Sequence, residues 1–228
     1  MTKPSLTKIE QPPATLRDIV QDRMREAIIE GHFKPGERLV ERPLCDQLGV
    51  SRTVIRETIR YLEAEGLVEI LPGKGPIVAR MSWEDAQQIY DIRRMLETAA
   101  AVTCARNMTP DLAARLTAAL EALNHSYNNV QPGGLFKATA CFYSIIFEGA
   151  GHNIAWDIVQ RLNGRISRLR AMTLSSDDRS RSGQSHMKAI HDAIQSGKTD
   201  AARAAVNAHL DDVYAVAERL LGAPSDRP

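Results

Sequence analysis

The chain has 228 residues, of which 43% are hydrophobic and 25% are charged, and its formal net charge is +1. This composition is that of an ordinary globular protein with room for two modest domains, and it excludes the disordered and fibrous classes. No apolar run approaches the roughly 20 residues of a membrane-crossing helix, and the first residues lack the apolar stretch of a secretory signal. We therefore expect a cytoplasmic protein with no membrane partner. The three cysteines are far apart and lack CxxC spacing, which predicts neither disulfides nor a cysteine zinc site.

A polar arm and a first helix open the chain. Residues 1–14 include Pro12 and Pro13, which favours a flexible N-terminal arm over a packed element. From 16 to 30 the apolar residues recur at helical spacing and Gly31 follows as a C-cap, so the sequence predicts helix one here. The apolar face assigned to this helix comprises Leu16, Ile19, Val20, Met24, Ala27 and Ile28.

Two short helices joined by a tight turn are predicted next. Pro35 and Gly36 mark a turn, residues 41–48 form the second helix, and Gly49 permits the backbone geometry that redirects the chain. A third helix follows and ends at Gly66. The two helices and their turn are typical of a helix-turn-helix.

The third helix combines an apolar stripe with a cationic face. Ser51 can cap it by accepting a hydrogen bond from a backbone N–H of the first turn. The apolar stripe comprises Ile55, Ile59 and Leu62. The arginines of the adjoining face, which recur every four residues, are Arg52, Arg56 and Arg60. A helix that is anchored to a small core and laid in a DNA groove has this pattern.

A β-hairpin is predicted after the third helix. The runs 67–71 and 77–79 are β-prone and flank the segment PGKGP at 72–76, which gives the hairpin a basic tip at Lys74. Three helices followed by a two-stranded wing are the parts of a winged helix-turn-helix, whose third helix enters the major groove. We assign this domain to residues 15–80.

The remainder of the chain is predicted to be helical, which makes the fold class mainly α. The helices are expected at 83–107, 110–127, 134–149, 153–174, 180–196 and 199–221. Six antiparallel helices with short connections predict an all-α bundle at 82–222, whose core can hold a ligand. A C-terminal tail is expected at 223–228.

These parts resemble the GntR family of transcription factors, and more narrowly its FadR-like branch, whose C-terminal domain is the all-helical FCD type. In the first half the resemblance rests on Pro35-Gly36, Glu41 to Leu44 and Ser51 to Glu57. In the second half it rests on Tyr90 to Glu97, Phe142 to Asn153 and His186 to His209. The resemblance implies a regulator that binds double-stranded DNA and responds to a small molecule.

The resemblance also implies a set of DNA-binding residues. Those on the helices and the wing tip are Arg42, Arg52, Thr53, Arg56, Gly73 and Lys74. Their chemistry agrees, because an arginine can present a bidentate fork to guanine, whereas Ser51, Thr53 and Lys74 suit phosphate or base-edge contacts. Two departures are Val54, where many relatives carry proline, and Pro72, where a histidine can reach DNA. The alternative is a solvated arginine face stabilised by neighbours such as Glu57.

The family's metal site is only half present. Many FCD domains hold a divalent metal through one aspartate and three histidines, but here Thr139 and Tyr143 stand at the aspartate and first histidine positions. His186 and His209 remain, and two imidazoles without a carboxylate make a poor metal site. We therefore predict no metal cofactor, and His186 and His209 as the ligands if a divalent metal binds after all.

Two other interpretations of these residues stay open. The histidines can be hydrogen-bonded packing residues of the bundle. Alternatively, Thr139, Tyr143, His186 and His209 can line a metal-free effector pocket, in which Arg93 or Arg94 supplies charge to a carboxylate. Arg93 can equally form an ion pair with Glu97, four residues further on.

The sequence thus predicts a homodimeric transcriptional regulator rather than an enzyme. We expect a repressor that binds a pseudo-palindromic operator and is modulated by a small organic acid in the helical domain. The alternatives are an architectural DNA binder without an effector and a metal-dependent enzyme tethered to DNA.

Overall fold

The computed structural model describes residues 15–129, 134–174 and 179–222. The N-terminal arm and C-terminal tail predicted from the sequence lie outside these residues. Within them the elements are α1 (Leu16–Ile29), α2 (Glu41–Leu48), α3 (Arg52–Ala64), β1 (Val68–Leu71), β2 (Gly75–Val78), α4 (Trp83–Arg106), α5 (Pro110–Asn128), α6 (Gly134–Gly149), α7 (Asn153–Arg161), α8 (Asn163–Leu174), α9 (Arg179–Gln195) and α10 (Thr199–Leu221). The predicted mainly-α fold, a winged helix-turn-helix followed by a helical bundle, is confirmed.

The first three helices and the hairpin enclose one small apolar core. Its buried members are Val20, Met24, Ile28, Leu39, Leu44, Ile55, Ile59, Leu62, Leu67, Val68 and Val78. The apolar face predicted for α1 is partly wrong, because Leu16 and Ile19 are 58% and 43% exposed. Ile19 lies on the opposite side of the helix from the stripe that packs inward, and Leu16 lies at its open end. Gln21 is buried instead.

An arginine clamp holds α1 against the end of α3. Arg25 donates from Nε and Nη2 to the two carboxylate oxygens of Glu65, at 2.8 and 2.9 Å, and its Nη1 donates to Asp22. Burial alone would lower the pKa of Arg25, but the hydrogen bonds and charge of Glu65 outweigh it and raise that pKa. The guanidinium also lies 5.6 Å from the ring centre of Tyr61. The position of α1 therefore depends on a charged contact as well as on apolar packing.

The wing is a short antiparallel hairpin. Its register pairs Val68 with Val78 and Leu71 with Gly75, so the second strand begins two residues earlier than predicted. Lys74 donates its backbone N–H to the Leu71 carbonyl at 3.1 Å and Gly73 has φ +74°, the geometry of a type II turn with proline and glycine at its centre. The turn therefore presents the basic tip at the end of the hairpin.

In the bundle, α4 and α10 run antiparallel side by side. Tyr90 donates to the Val213 carbonyl at 3.2 Å near the start of α4, and Arg94 donates to Asp211 at 2.6 Å one turn later. The remaining helices pack around this pair on a core that includes Leu116, Leu123, Phe142, Ile146, Phe147, Ile166, Ile190 and Leu210. No helix of the described residues is long and apolar enough to cross a membrane.

One predicted helix is wrong. The sequence predicts a single helix at 153–174, whereas the structure ends α7 at Arg161 and starts α8 at Asn163, which gives the described bundle seven helices instead of six. Gly164 sits at the break, against the Leu67 side chain and the Glu65 carbonyl. This close approach to the winged domain needs a residue without a Cβ. The other five predicted helices agree with the structure within one residue at each end.

The two halves of the fold meet along α8 and α6. Arg168 of α8 is buried and donates to the carbonyl of Ala79, which follows β2. Lys137 of α6 forms an ion pair with Glu26 of α1 at 2.7 Å. Residues on α8 therefore connect the bundle to the base of the wing.

Candidate nucleic-acid interface and ligand site

The third helix presents its predicted face to solvent. Ser51 caps α3 by accepting from the backbone N–H of Val54 at 3.4 Å. Arg52, Thr53 and Arg56 are exposed, whereas the stripe of Ile55, Ile59 and Leu62 is buried. The helix is thus held to the core by one side and leaves the polar residues of its first turn accessible.

Glu41 of α2 connects the two helices of the motif through Arg56. Arg56 donates from Nε to Glu41 at 2.7 Å, which lowers the pKa of Glu41, and the charge of Arg52 lowers it further. Glu57, the neighbour named from the sequence, instead lies 3.6 Å from Arg17. Within the described residues the terminal nitrogens of Arg56 form no hydrogen bond, so both remain available to an acceptor outside the protein.

The other predicted DNA residues lie on α2 and the wing. Arg42 is exposed in the first turn of α2, and Gly73 and Lys74 are exposed at the wing tip. Sequence reasoning missed Arg38, an exposed arginine whose backbone bridges to Ile77 and whose guanidinium lies beside the wing. A basic residue just after the Pro35-Gly36 turn was the available signal. Exposed arginines therefore lie on α2, on α3 and beside the wing.

In the helical domain, Arg93 forms an ion pair with Glu97, which was the alternative to a role in binding a carboxylate ligand. Its Nε and Nη2 donate to the two carboxylate oxygens of Glu97 at 2.7 and 3.4 Å, and the side chains are 1% and 2% exposed. Burial alone would lower the pKa of Arg93, but the charge of Glu97 outweighs it and raises that pKa. Arg94 points elsewhere, because it pairs with Asp211 on the outer surface.

Tyr143 packs beside this ion pair. Its side chain is buried, and its hydroxyl has no hydrogen-bond partner among the residues that the structure describes. Burial raises the pKa of Tyr143 far above its usual range, and the charge of Glu97 adds to the effect. Thr139 lies one helical turn earlier on α6, and its hydroxyl donates to the Leu135 carbonyl at 2.7 Å.

Sequence reasoning missed a second arginine at this place. Arg170 of α8 lies with its Cζ 5.5 Å from the ring centre of Tyr143. Burial lowers the pKa of Arg170, and the positive charge of Arg93 lowers it further. Nothing in the sequence of α8 distinguishes this arginine from its neighbours, because only the tertiary packing of α8 decides which one faces inward.

His186 and His209 lie together, with ring centres 5.6 Å apart. His186 Nε2 is 3.3 Å from a carboxylate oxygen of Asp212, a partner that the sequence pattern did not identify. The residues do not fit the family's metal. Thr139 and Tyr143 replace two ligands, and no three histidine, cysteine, aspartate or glutamate side chains within the described ranges lie close enough to hold a metal ion.

Comparison with known proteins gives the family. Residues 16–78 match the model of the bacterial regulatory proteins of the gntR family, and residues 88–212 match the model of the FCD domain. The chain is 25% identical over 190 residues to the HTH-type transcriptional repressor RspR of Escherichia coli, a match that covers 83% of each chain. It is equally similar, over 198 residues, to an HTH-type transcriptional regulator in an unstable DNA locus of Streptomyces ambofaciens, covering 87% of this chain and 83% of that one.

Solved structures agree on the fold. Escherichia coli McbR/YncC superposes with a TM-score of 0.74 at 20% identity, covering 90% of this chain and 98% of that one. A GntR-type transcriptional regulator from Rhodococcus superposes with a TM-score of 0.73 at 28% identity, covering 91% of this chain and 98% of that one. The FCD match alone spans more than half of the sequence. The chain therefore belongs to the GntR family of bacterial transcriptional regulators, in the FadR-like branch whose C-terminal half is an FCD domain.

Proposed function

We propose that the protein is a homodimeric repressor that binds a pseudo-palindromic operator and is modulated by a small organic acid bound in its helical domain. The division into a DNA-binding domain at 15–80 and an effector and dimerisation domain at 82–222 is part of this proposal. The repressor named among the relatives, RspR, supports the sign of regulation.

The DNA side rests on the exposed surface of α2, α3 and the wing. Arg52 and Arg56 are exposed near the start of α3, and in this proposal they would offer bidentate donors to guanine in the major groove. Ser51, Thr53 and Arg42 lie at helix starts, where hydroxyl, guanidinium and backbone donors suit phosphates. Lys74 and Gly73 at the wing tip would reach the neighbouring backbone.

The observation that carries the effector proposal is the double contact of α8. On one side Arg170 faces Tyr143 inside the bundle, and two residues earlier Arg168 donates to the Ala79 carbonyl at the base of the wing. A ligand that moved Arg170 would therefore act on the helix that holds the winged domain. In a dimer this would alter the spacing of the two recognition helices, which must match half-sites about 34 Å apart.

A search for the operator tests the DNA and dimer proposals together. The full chain is used to select binders from a randomised DNA duplex, and native mass spectrometry counts the chains on a selected duplex. We expect enrichment of an inverted repeat and two chains per duplex. A selected site without symmetry that binds a single chain would contradict the dimer, and no enrichment at all would contradict sequence-specific binding.

The alternative of an architectural DNA binder without an effector is less well supported. It would suit a fully apolar bundle core, whereas this core encloses Arg93, Glu97 and Tyr143. An operator affinity that no organic acid changes, over the panel described below, would favour the architectural alternative.

A further inference from the structure

A group of charged side chains and one tyrosine lies together inside the helical domain. Arg93, Glu97, Tyr143 and Arg170 form what we call the arginine–tyrosine cluster, which contains two guanidinium groups and one carboxylate. Glu97 is engaged by Arg93 through two hydrogen bonds. Arg170 forms no ion pair, and its guanidinium forms no hydrogen bond, within the described residues. One of the two guanidinium groups in the cluster therefore has no ion-pair partner among the residues that the structure describes.

A charge that is partly buried and has no ion-pair partner is costly, because the protein interior replaces water poorly as a solvent for ions. Burial and the neighbouring Arg93 lower the pKa of Arg170, and the charge of Glu97 opposes them only in part. Its contact with the face of the Tyr143 ring is favourable but weaker than an ion pair. The site is thus organised for a negative charge that these residues do not provide.

The same place also holds an unused hydrogen-bond donor. Tyr143 is 3% exposed, and its hydroxyl has no partner among the described residues. The raised pKa of Tyr143 keeps the hydroxyl protonated at neutral pH, so it can donate to an acceptor atom. Most buried polar groups in proteins have a partner, and an orphaned one requires an explanation. An anion beside Arg170 would supply both the missing charge and the missing acceptor.

We propose that Arg170 and Tyr143 form the subsite for the charged end of a monocarboxylate ligand, with the Arg93–Glu97 pair as its fixed support. This rests on the proposed effector function and identifies its ligand class. A single negative charge fits, because it brings the cluster to neutrality, whereas a dianion would leave a second charge buried. Arg93 is not the anchor, since releasing Glu97 to free it would place a buried carboxylate beside the incoming one.

The charge balance can be tested without a ligand. The full chain, after exhaustive dialysis, is compared with its Arg170→Met and Arg93→Met variants by thermal unfolding. Removal of an uncompensated charge should leave the midpoint unchanged or raise it, whereas Arg93→Met should lower it by several degrees because Glu97 loses its partner. If Arg170→Met lowers the midpoint as much as Arg93→Met, Arg170 is a structural partner and the proposal fails.

The ligand class is tested with defined probes. Straight-chain monocarboxylates of two to eight carbons, benzoate, the matching amides and dicarboxylates, and chloride are compared at constant ionic strength by calorimetric titration. We expect at least one monocarboxylate to bind the wild type, binding to be lost in Arg170→Met, and affinity to fall about tenfold in Tyr143→Phe. Amides and dicarboxylates should bind at least tenfold more weakly.

Three results would overturn the proposal. One is a panel in which no monocarboxylate binds the wild type more tightly than Arg170→Met. Another is an amide that binds as tightly as its acid, because Arg170 would then not recognise the negative charge of the ligand. The third is chloride that binds as tightly as any carboxylate, since the cluster would then be a simple halide site.

The subsite and the regulatory function can fail separately. A monocarboxylate that binds through Arg170 without changing operator affinity would support the subsite and contradict the effector function. An effector that changes the operator affinity of wild type and Arg170→Met equally would support the function and overturn the subsite.

Discussion

Glu41 of α2 accepts a hydrogen bond of 2.7 Å from Nε of Arg56 on α3, and the two residues lie on the face that we propose contacts DNA. A carboxylate at such a surface has two effects. It repels phosphate, and it holds the guanidinium through Nε, so that the two terminal nitrogens are left for other acceptors. Because Arg56 and the charge of Arg52 both lower the pKa of Glu41, the carboxylate stays ionised at neutral pH.

We predict that Glu41→Gln increases affinity for DNA of any sequence and reduces the preference for the operator. The amide keeps the shape but removes one negative charge from the interface, so binding should tighten roughly three- to tenfold at about 0.1 M salt. Fluorescence anisotropy with operator and random duplexes measures both constants. Glu218→Gln, which removes a carboxylate from α10, is the control. Weaker binding to both duplexes would mean that Glu41 chiefly positions Arg56.

Replacing Arg52 or Lys74 with alanine should weaken DNA binding in two different ways. If Arg52 contacts a guanine, its loss costs about 1–3 kcal/mol on the operator and little on random DNA. If Lys74 contacts phosphate, its loss weakens binding to both duplexes alike. The slope of log affinity against log salt concentration should then become shallower by about one. Salt titrations of the two variants measure this, with Arg219→Ala on α10 as the control. Equal losses on both duplexes for Arg52→Ala would place the recognition face elsewhere.

The clamp between Arg25 and Glu65 should stabilise the winged domain more than a similar pair on its surface. Glu65→Gln leaves a largely buried guanidinium with one remaining charged partner, Asp22, and should cost about 1–2 kcal/mol in the free energy of unfolding. The matched control is Glu57→Gln, whose partner Arg17 lies 3.6 Å away with about half of each side chain exposed, and we expect a change below about 0.5 kcal/mol. Urea unfolding of the two variants compares them. Equal costs would mean that the packing of α1, not this clamp, fixes its position.

Local sequence signals were sufficient to predict most of the fold. The stripe of Ile55, Ile59 and Leu62 follows the period of a helix, and all three residues are buried. Proline and glycine at the wing tip determine a turn without help from the remainder of the chain. The break before Gly164 was not predictable, because it depends on a contact with Leu67, nearly a hundred residues earlier. The exposure of Ile19 likewise depends on which side of α1 meets α3.

The candidate sites also contain some residues that the sequence could predict and others that it could not. Four-residue spacing within one helix was enough to raise the pairing of Arg93 with Glu97 as an alternative. The roles of Arg170 and Asp212 depend on how three different helices pack, and no spacing rule relates Arg170 to Tyr143. The family resemblance drew attention to Tyr143, because this tyrosine stands where many relatives carry a metal-binding histidine. Only the structure places a second guanidinium beside that residue.

Gly164→Ala should disturb the joint between the two domains. The added methyl group would lie 2.8 Å from Cγ of Leu67 and 3.0 Å from the Glu65 carbonyl oxygen, so the neighbours must move. We expect a loss of about 1–3 kcal/mol in the free energy of unfolding, and a changed operator affinity without any ligand. The double variant with Leu67→Ala removes the nearest atoms and should show coupling between the two sites in a double-mutant cycle. Additive effects would show that the clash does not occur.

The buried hydroxyl of Tyr143 should make stability fall at alkaline pH. Burial raises the pKa of Tyr143 in the folded chain above its unfolded value near 10, so above that pH the unfolded chain loses a proton that the folded chain retains. Unfolding is therefore favoured as pH rises above about 10, by up to about 1.4 kcal/mol per pH unit from this group. Tyr143→Phe lacks the group and should show a shallower decline, measured as the difference between the two stability curves from pH 8 to 11. Other tyrosines and lysines titrate in both proteins and cancel in that difference. Parallel curves would mean that the hydroxyl ionises as easily in the folded chain as in the unfolded one.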